Sequence, residues 1–190
     1  MRSSQVNGRM LMRFVSLTLV ALCSVAPVAF AGTNAPAPDA KILALLHIGD
    51  VSEVAQGEIA KDRTQNAGVR DFAVMLVTDH SKADQNVLQL ARDQRFGVDL
   101  TIAADPQLVQ AQKDGQALLA KLRDAAAADF DLLFAREEFA DHDRDIKALT
   151  ELRRQIGDGT PVAKLLDETL PTLNMHRDMA QKLIDQLSQH

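Results

Sequence analysis

Three histidines and one glutamate in this chain combine residue types and spacing that could hold a metal ion. His80 lies among Phe72, Ala73, Leu76, Ala83, Val87 and Leu90, and His176 among Leu166, Leu173, Ala180 and Leu183. His142 lies beside Glu138, Asp145 and Leu149. Helical periodicity puts each imidazole on the apolar face of a different helix. An imidazole in such a place must be hydrogen-bonded, ligate a metal or lose its charge. Glu53 shares a face with Ile42, Leu46, Gly57 and Ala60, and Gly57 is expected to leave room beside it. Three imidazoles and one carboxylate suit a divalent transition metal such as Zn, Cu or Fe. Glu138, Asp145 and Asp84 are expected as the acceptors that fix the imidazole tautomers.

Other chemistries find less support. Di-iron bundles use Glu-x-x-His on two helices, and that spacing occurs nowhere here; Glu138 and His142 are four apart. No Ser or Cys sits in a nucleophile elbow, and no glycine loop could cradle phosphate. The adjacent pairs Asp79-His80 and Asp141-His142 do not form dyads, because neighbouring helical residues do not face each other. Met75, Met175 and Met179 read as packing. His47 and His190 read as solvent-side. The balance favours a non-enzymatic protein.

Five helices are expected to position these groups. The first opens at Pro38-Asp39, with Asp39 as N-cap, and runs to about Gln65; Asn66-Ala67-Gly68 makes the turn. The second spans about Val69 to Arg95 and stops at Gly97. A shorter, weaker third begins at Asp105-Pro106, and its boundary before Phe130 carries no stop signal. The fourth covers about Asp129 to Ile156. Gly157 to Pro161 ends it and opens the fifth, which runs to about Ser188 with a kink expected at Pro171. No stretch alternates with period two, so the fold class is all-α. Two long helical hairpins joined through a short crossover helix make a four-helix bundle. Phe72-Ala73 with Asp79-His80 recurs as Phe134-Ala135 with Asp141-His142 at an offset of 62, which supports an internal duplication.

Counting from the turns tests whether the polar residues meet. Glu53 lies about 13 residues before the first turn and His80 about 14 after it. His142 lies about 16 before the second turn and His176 about 18 after it, a mismatch of ~3 Å. Each pair therefore shares a level within its hairpin. Whether the two hairpins share one level depends on how the crossover seats them.

Residues 1–31 read as a signal peptide: Arg2, Arg9 and Arg13 precede an apolar run, Phe14 to Phe30, and Ala29-Phe30-Ala31 is a small-x-small cleavage site. Leu22 before Cys23 argues against lipoprotein processing. Residues 32–38 are a linker of small residues and proline, and 39–188 form a single domain. Cleavage near Ala31 leaves a cysteine-free chain with 18 basic and 26 acidic residues, a net charge of −8. That charge and the lack of Trp and Tyr argue against nucleic-acid binding. The mature chain is expected to have no transmembrane span and to be periplasmic or secreted.

At these same residues the chain strongly resembles domain-of-unknown-function family 4142. The likeness rests on Val69-Arg70-Asp71-Phe72-Ala73 with Val77-Thr78-Asp79-His80-Ser81-Lys82-Ala83, and on Glu53-Val54 with Gly57. It continues through Ala140-Asp141-His142 and Thr169-Leu170-Pro171-Thr172-Leu173 to His176. It implies an exported bacterial protein, often labelled an outer-membrane protein, with a ferritin-like bundle and no established activity. The alternating strands of a β-barrel are missing. Two functional readings follow: a metal-binding bundle for metal handling or stress protection, and an envelope stress or interaction module whose histidines set packing or act as a pH switch.

Overall fold

The computed structural model describes residues 37–95 and 97–189, and the leader-like segment 1–31 falls outside them. Among the described residues there are six helices and no strand. They are α1 (Ala37–Arg63), α2 (Ala67–Asp93), α3 (Val98–Ala104), α4 (Pro106–Asp124), α5 (Ala127–Gln155) and α6 (Pro161–Leu187). None is long and apolar enough to cross a membrane.

Local signals set most of the boundaries. The Asn66 side chain accepts from the amides of Gly68 and Val69 at 2.9 and 3.2 Å and starts α2. Asp105 does the same for α4, and the Thr160 hydroxyl accepts from Ala163 N at 3.1 Å to start α6. Each satisfies amides that a helix start leaves without partners. Helix α1 begins at Ala37, two residues before the expected cap, so Asp39 sits in its first turn. The left-handed residue after α2 is Arg95 (φ 61°), while Gly97 (φ −90°) precedes α3. Helix α6 continues through Pro171.

Two apolar clusters show how the helices run. One joins Ile42, Leu43 and Leu46 of α1 to Val87 and Ala91 of α2, Leu149 of α5 and Val162 and Leu166 of α6. The other joins Ala60 of α1 to Val69 and Phe72 of α2, Phe130 and Phe134 of α5 and Ala180 and Leu183 of α6. Thus α1 and α6 start at one end of the bundle, and α2 and α5 start at the other. The hairpins α1–α2 and α5–α6 are antiparallel and pack as a four-helix bundle. The repeat at offset 62 has a geometric meaning, since Phe72 and Phe134 meet across the core with ring centroids 6.1 Å apart.

The crossover is more substantial than a single short helix. Val98 and Ile102 of α3 join the first cluster, and the 19-residue α4 runs along much of the bundle, with Leu108 in the first cluster and Leu122 in the second. It lies parallel to α1. Lys41 pairs with Asp105 at 2.9 Å near its start, and the Gly115 backbone lies against Ser52 midway. At its end Arg63 donates to the carbonyls of Leu122 and Arg123 while its guanidinium lies 4.5 Å over the Phe130 ring. Those carbonyls are the ones that a helix end leaves unsatisfied. The missing stop signal between α4 and α5 is thus supplied from α1.

Gly57 serves the α1–α2 contact and does not make room for Glu53. A Cβ there would come within 2.7 Å of Val77 Cγ2 and 2.9 Å of the Ala73 carbonyl oxygen. A backbone atom cannot step aside without moving its helix. Gly57→Ala is therefore expected to destabilise by about 1–3 kcal/mol despite alanine's better helix propensity, read as a lower urea midpoint. An unchanged or higher midpoint would show that the interface has slack.

Candidate metal centre

Between the two apolar clusters lies a polar layer. Asp50, Glu53 and Gln56 reach it from α1, His80 from α2, Glu138 and His142 from α5, and His176 from α6; all are buried. The three imidazoles form a triangle, with centroids separated by 5.7 Å (His80–His142), 5.2 Å (His80–His176) and 5.3 Å (His142–His176). The crossover therefore seats both hairpins at one level. Phe72 closes one side of the layer, edge-on to His176 at 6.2 Å.

Each ring is held by one nitrogen. His80 Nδ1 donates to Asp50 Oδ1 at 2.8 Å, His142 Nδ1 to the Glu138 carbonyl oxygen at 2.9 Å, and His176 Nε2 to Asp79 Oδ2 at 3.0 Å. In a neutral imidazole, when one nitrogen donates the other carries a lone pair. The remaining nitrogens, His80 Nε2, His142 Nε2 and His176 Nδ1, are buried and have no hydrogen-bond partner. One ligand atom from each of the three residues can be taken with all lying within 4.8 Å of one another. Three lone pairs converge on a buried point with no protein donor, an arrangement that calls for a proton or a cation.

A second triad overlaps the first. Glu53, Glu138 and His142 also offer ligand atoms within 4.8 Å of one another. Glu53 Oε2 and both Glu138 oxygens are buried without partners, as is Gln56 Oε1; Gln56 Nε2 donates weakly to Glu53 Oε1 at 3.4 Å. Of the four residues singled out in the sequence, His80, His142 and His176 converge directly. Glu53 meets them through His142, in company with Glu138. His47 is half-buried rather than solvent-side, its Nδ1 donating to Asp84 Oδ1 at 2.6 Å. His190 lies outside the described residues. Met75 and Met179 are partly buried, whereas Met175 is exposed.

The acceptors that orient the rings differ from those expected. Asp84 serves His47, Asp145 only lines a cleft, and Glu138 contributes its backbone carbonyl to His142. Asp50 and Asp79 do the rest. Asp50 was legible as the residue one turn before Glu53 on the same face. The adjacent Asp79 cannot face His80, and for that reason it faces the neighbouring helix and reaches His176.

Electrostatics divide the triangle. Burial, then the charge on His80, holds His142 down at about 4. Burial also holds His176 at about 4, the Asp79 hydrogen bond only partly opposing it. Burial pulls His80 down too, but the Asp50 hydrogen bond and the nearby Glu53 charge outweigh it and leave His80 above its usual value. Burial pushes the Glu138 carboxyl well above its usual range, with the Glu53 charge adding to the push. Of the three rings, His80 is the one that holds a proton to the highest pH.

A cleft of about 540 Å³ connects this layer to the surface. Leu45, Leu46, Ile48, Leu118, Leu149 and Leu173 supply apolar wall, and Asp50, Glu53, His80 and His142 its inner end. Asp114, Glu137, Asp141 and Asp145 line it too, against the single basic residue Arg144.

Fold and centre together define a class: a helical bundle with a buried core of three histidines and two glutamates. The chain belongs to the family described as Domain of unknown function (DUF4142), which it matches over residues 25–183. Comparison with the curated proteins and with the solved structures returned no match.

The division of charge is measurable. In metal-free protein, ring-nitrogen NMR is expected to find His142 and His176 neutral down to about pH 4 and His80 protonated above its usual 6.5. The linkage has a sign. Between pH 6.5 and about 4 the unfolded chain takes up protons that His142 and His176 refuse, so these two withdraw stability as pH falls. His80 acts oppositely, its contribution being present below pH 6.5 and lost as pH rises through its folded value. Three rings titrating together near 6.5 would contradict the buried triangle.

Proposed function

We propose that this is an exported helical-bundle protein that binds one divalent first-row transition-metal ion through His80, His142 and His176, with Glu53 as carboxylate partner. Metal handling or protection against stress is its role, rather than catalysis. The observation that carries this reading is the convergence of three partnerless imidazole nitrogens, each ring pinned from behind by Asp50, Asp79 or the Glu138 carbonyl. Metal-ligating histidines usually have their second nitrogen fixed in this way. Imidazole with carboxylate and no thiolate favours Zn²⁺, Cu²⁺ or Fe²⁺. Export is supported by the leader-like residues 1–31.

Metal content tests the proposal. The purified protein, loaded with Zn²⁺ and dialysed, is expected to retain about one ion per chain and to melt at a higher temperature than the metal-free form. His80→Ala and His142→Ala should lose the ion. Substoichiometric metal in wild type and variants alike, with normal helical content, would leave the histidines as packing groups of an interaction module.

The acceptors behind the rings give a second test. Asp79→Asn and Asp50→Asn remove no proposed ligand, yet each is expected to weaken Zn²⁺ affinity by about 10–100-fold in competition titrations against a chelating dye. Unchanged affinity in both would mean that the rings need no support from behind.

A further inference from the structure

The overlapping triad of Glu53, Glu138 and His142 shares Glu53 and His142 with the site proposed above but adds a second carboxylate, Glu138, and its chemistry differs. Both carboxyls are buried, Glu138 completely, and three of their four oxygens lack a hydrogen-bond partner, with His142 Nδ1 3.7 Å from Glu138 Oε2. Gln56, fully buried beside Glu53, adds another partnerless oxygen. Two carboxylates cannot lie together in a dry core without a shared proton or a cation, since burial and like charge both oppose it. One divalent cation would neutralise the pair. The cleft reaches Glu53 and His142 from outside, past Asp114, Glu137, Asp141 and Asp145.

We infer that the layer holds two alternative positions for a single cation: an oxygen-rich one at Glu53, Glu138 and His142, and a nitrogen-rich one at His80, His142 and His176. This deepens the metal-binding reading and rests on it. His142 belongs to both triads and offers one partnerless nitrogen, so it cannot serve two ions at once. Donor chemistry then sorts the ions. Carboxylate and amide oxygens suit hard cations such as Mn²⁺, and imidazoles suit Zn²⁺.

The experiment uses the purified protein with Mn²⁺ and Zn²⁺ as probes. Bound Mn²⁺ is read from loss of the free-ion signal in electron paramagnetic resonance, and Zn²⁺ affinity from dye competition. Wild type is expected to bind either ion, with Zn²⁺ expelling Mn²⁺ so that the total stays near one per chain. Glu138→Gln, which keeps side-chain size, should abolish Mn²⁺ binding and change Zn²⁺ affinity by less than about 10-fold. His176→Gln should weaken Zn²⁺ by about 100-fold or more and change Mn²⁺ affinity only a few-fold. Zn²⁺ binding without Mn²⁺ binding in wild type overturns this inference alone. So does simultaneous occupancy by both ions, or parallel loss of both in the two variants. If His176→Gln fails to fold, the wild-type competition and Glu138→Gln still decide. Binding of neither ion by wild type overturns this inference and the metal-binding reading together.

Discussion

The constraint on which the rest of the structure depends is the desolvation of six ionisable side chains in one layer of a helical core. Asp50, Glu53, His80, Glu138, His142 and His176 sit between two apolar clusters, none more than 6 % exposed. Each buried polar group without a partner costs on the order of 1–3 kcal/mol. The layer holds three such nitrogens and several such oxygens, a burden comparable with the net stability of an ordinary domain. A bundle built only to be stable would fill these positions with leucine. That cost, beside well-filled apolar clusters, sets the layer apart from the rest of the core.

Everything else holds that layer at one height. The α1–α2 hairpin is drawn together at Gly57, where the backbones approach too closely for a Cβ. The crossover then joins the C-terminal end of α2 to the N-terminal start of α5 at the opposite end of the bundle, a distance of about 40 Å for helices of this length. Helix α4 spans much of that distance as a rigid strut. It is tied to α1 at Asp105 by Lys41 and at its last carbonyls by Arg63. With α2 and α5 parallel and diagonal, the recurring Phe and His positions meet in pairs: Phe72 with Phe134, His80 with His142.

Periodicity carries far in a chain of this kind. The long helices, the two hairpin turns and the burial of His80, His142 and His176 all follow from spacing and capping residues, because those signals are local. The relative height of the hairpins does not, since it is set by α4 and by contacts of Lys41 and Arg63 with residues about 60 positions away. The end of α4 was illegible for the same reason: a side chain from α1 caps it. The hydrogen bond from His176 to Asp79 is a tertiary fact of the same type. Residue spacing within α2 says only that Asp79 and His80 point in different directions. It cannot say what stands in front of each.

The layer also has a closed side and an open one, and this asymmetry bears on what it can do. His176 lies against Phe72, and Glu138 is fully buried; neither lines the cleft. His80, His142 and Glu53 do line it, at the inner end of walls that are apolar near the centre and acidic elsewhere. Arg144 pairs with Asp141 and Asp145, and Lys121 with Glu137, which offsets part of that charge; the remaining excess of carboxylates favours cations over anions such as phosphate. His80 is the counterweight: the Asp50 hydrogen bond holds it above its usual value, so a proton competes there with an arriving cation, and affinity for a metal is expected to fall as pH drops. Burial works in the ion's favour at the other two rings, because imidazoles held neutral to about pH 4 keep their lone pairs free. Of the three nitrogens that converge, those of His142 and His176 keep their lone pairs free to a lower pH than that of His80 does.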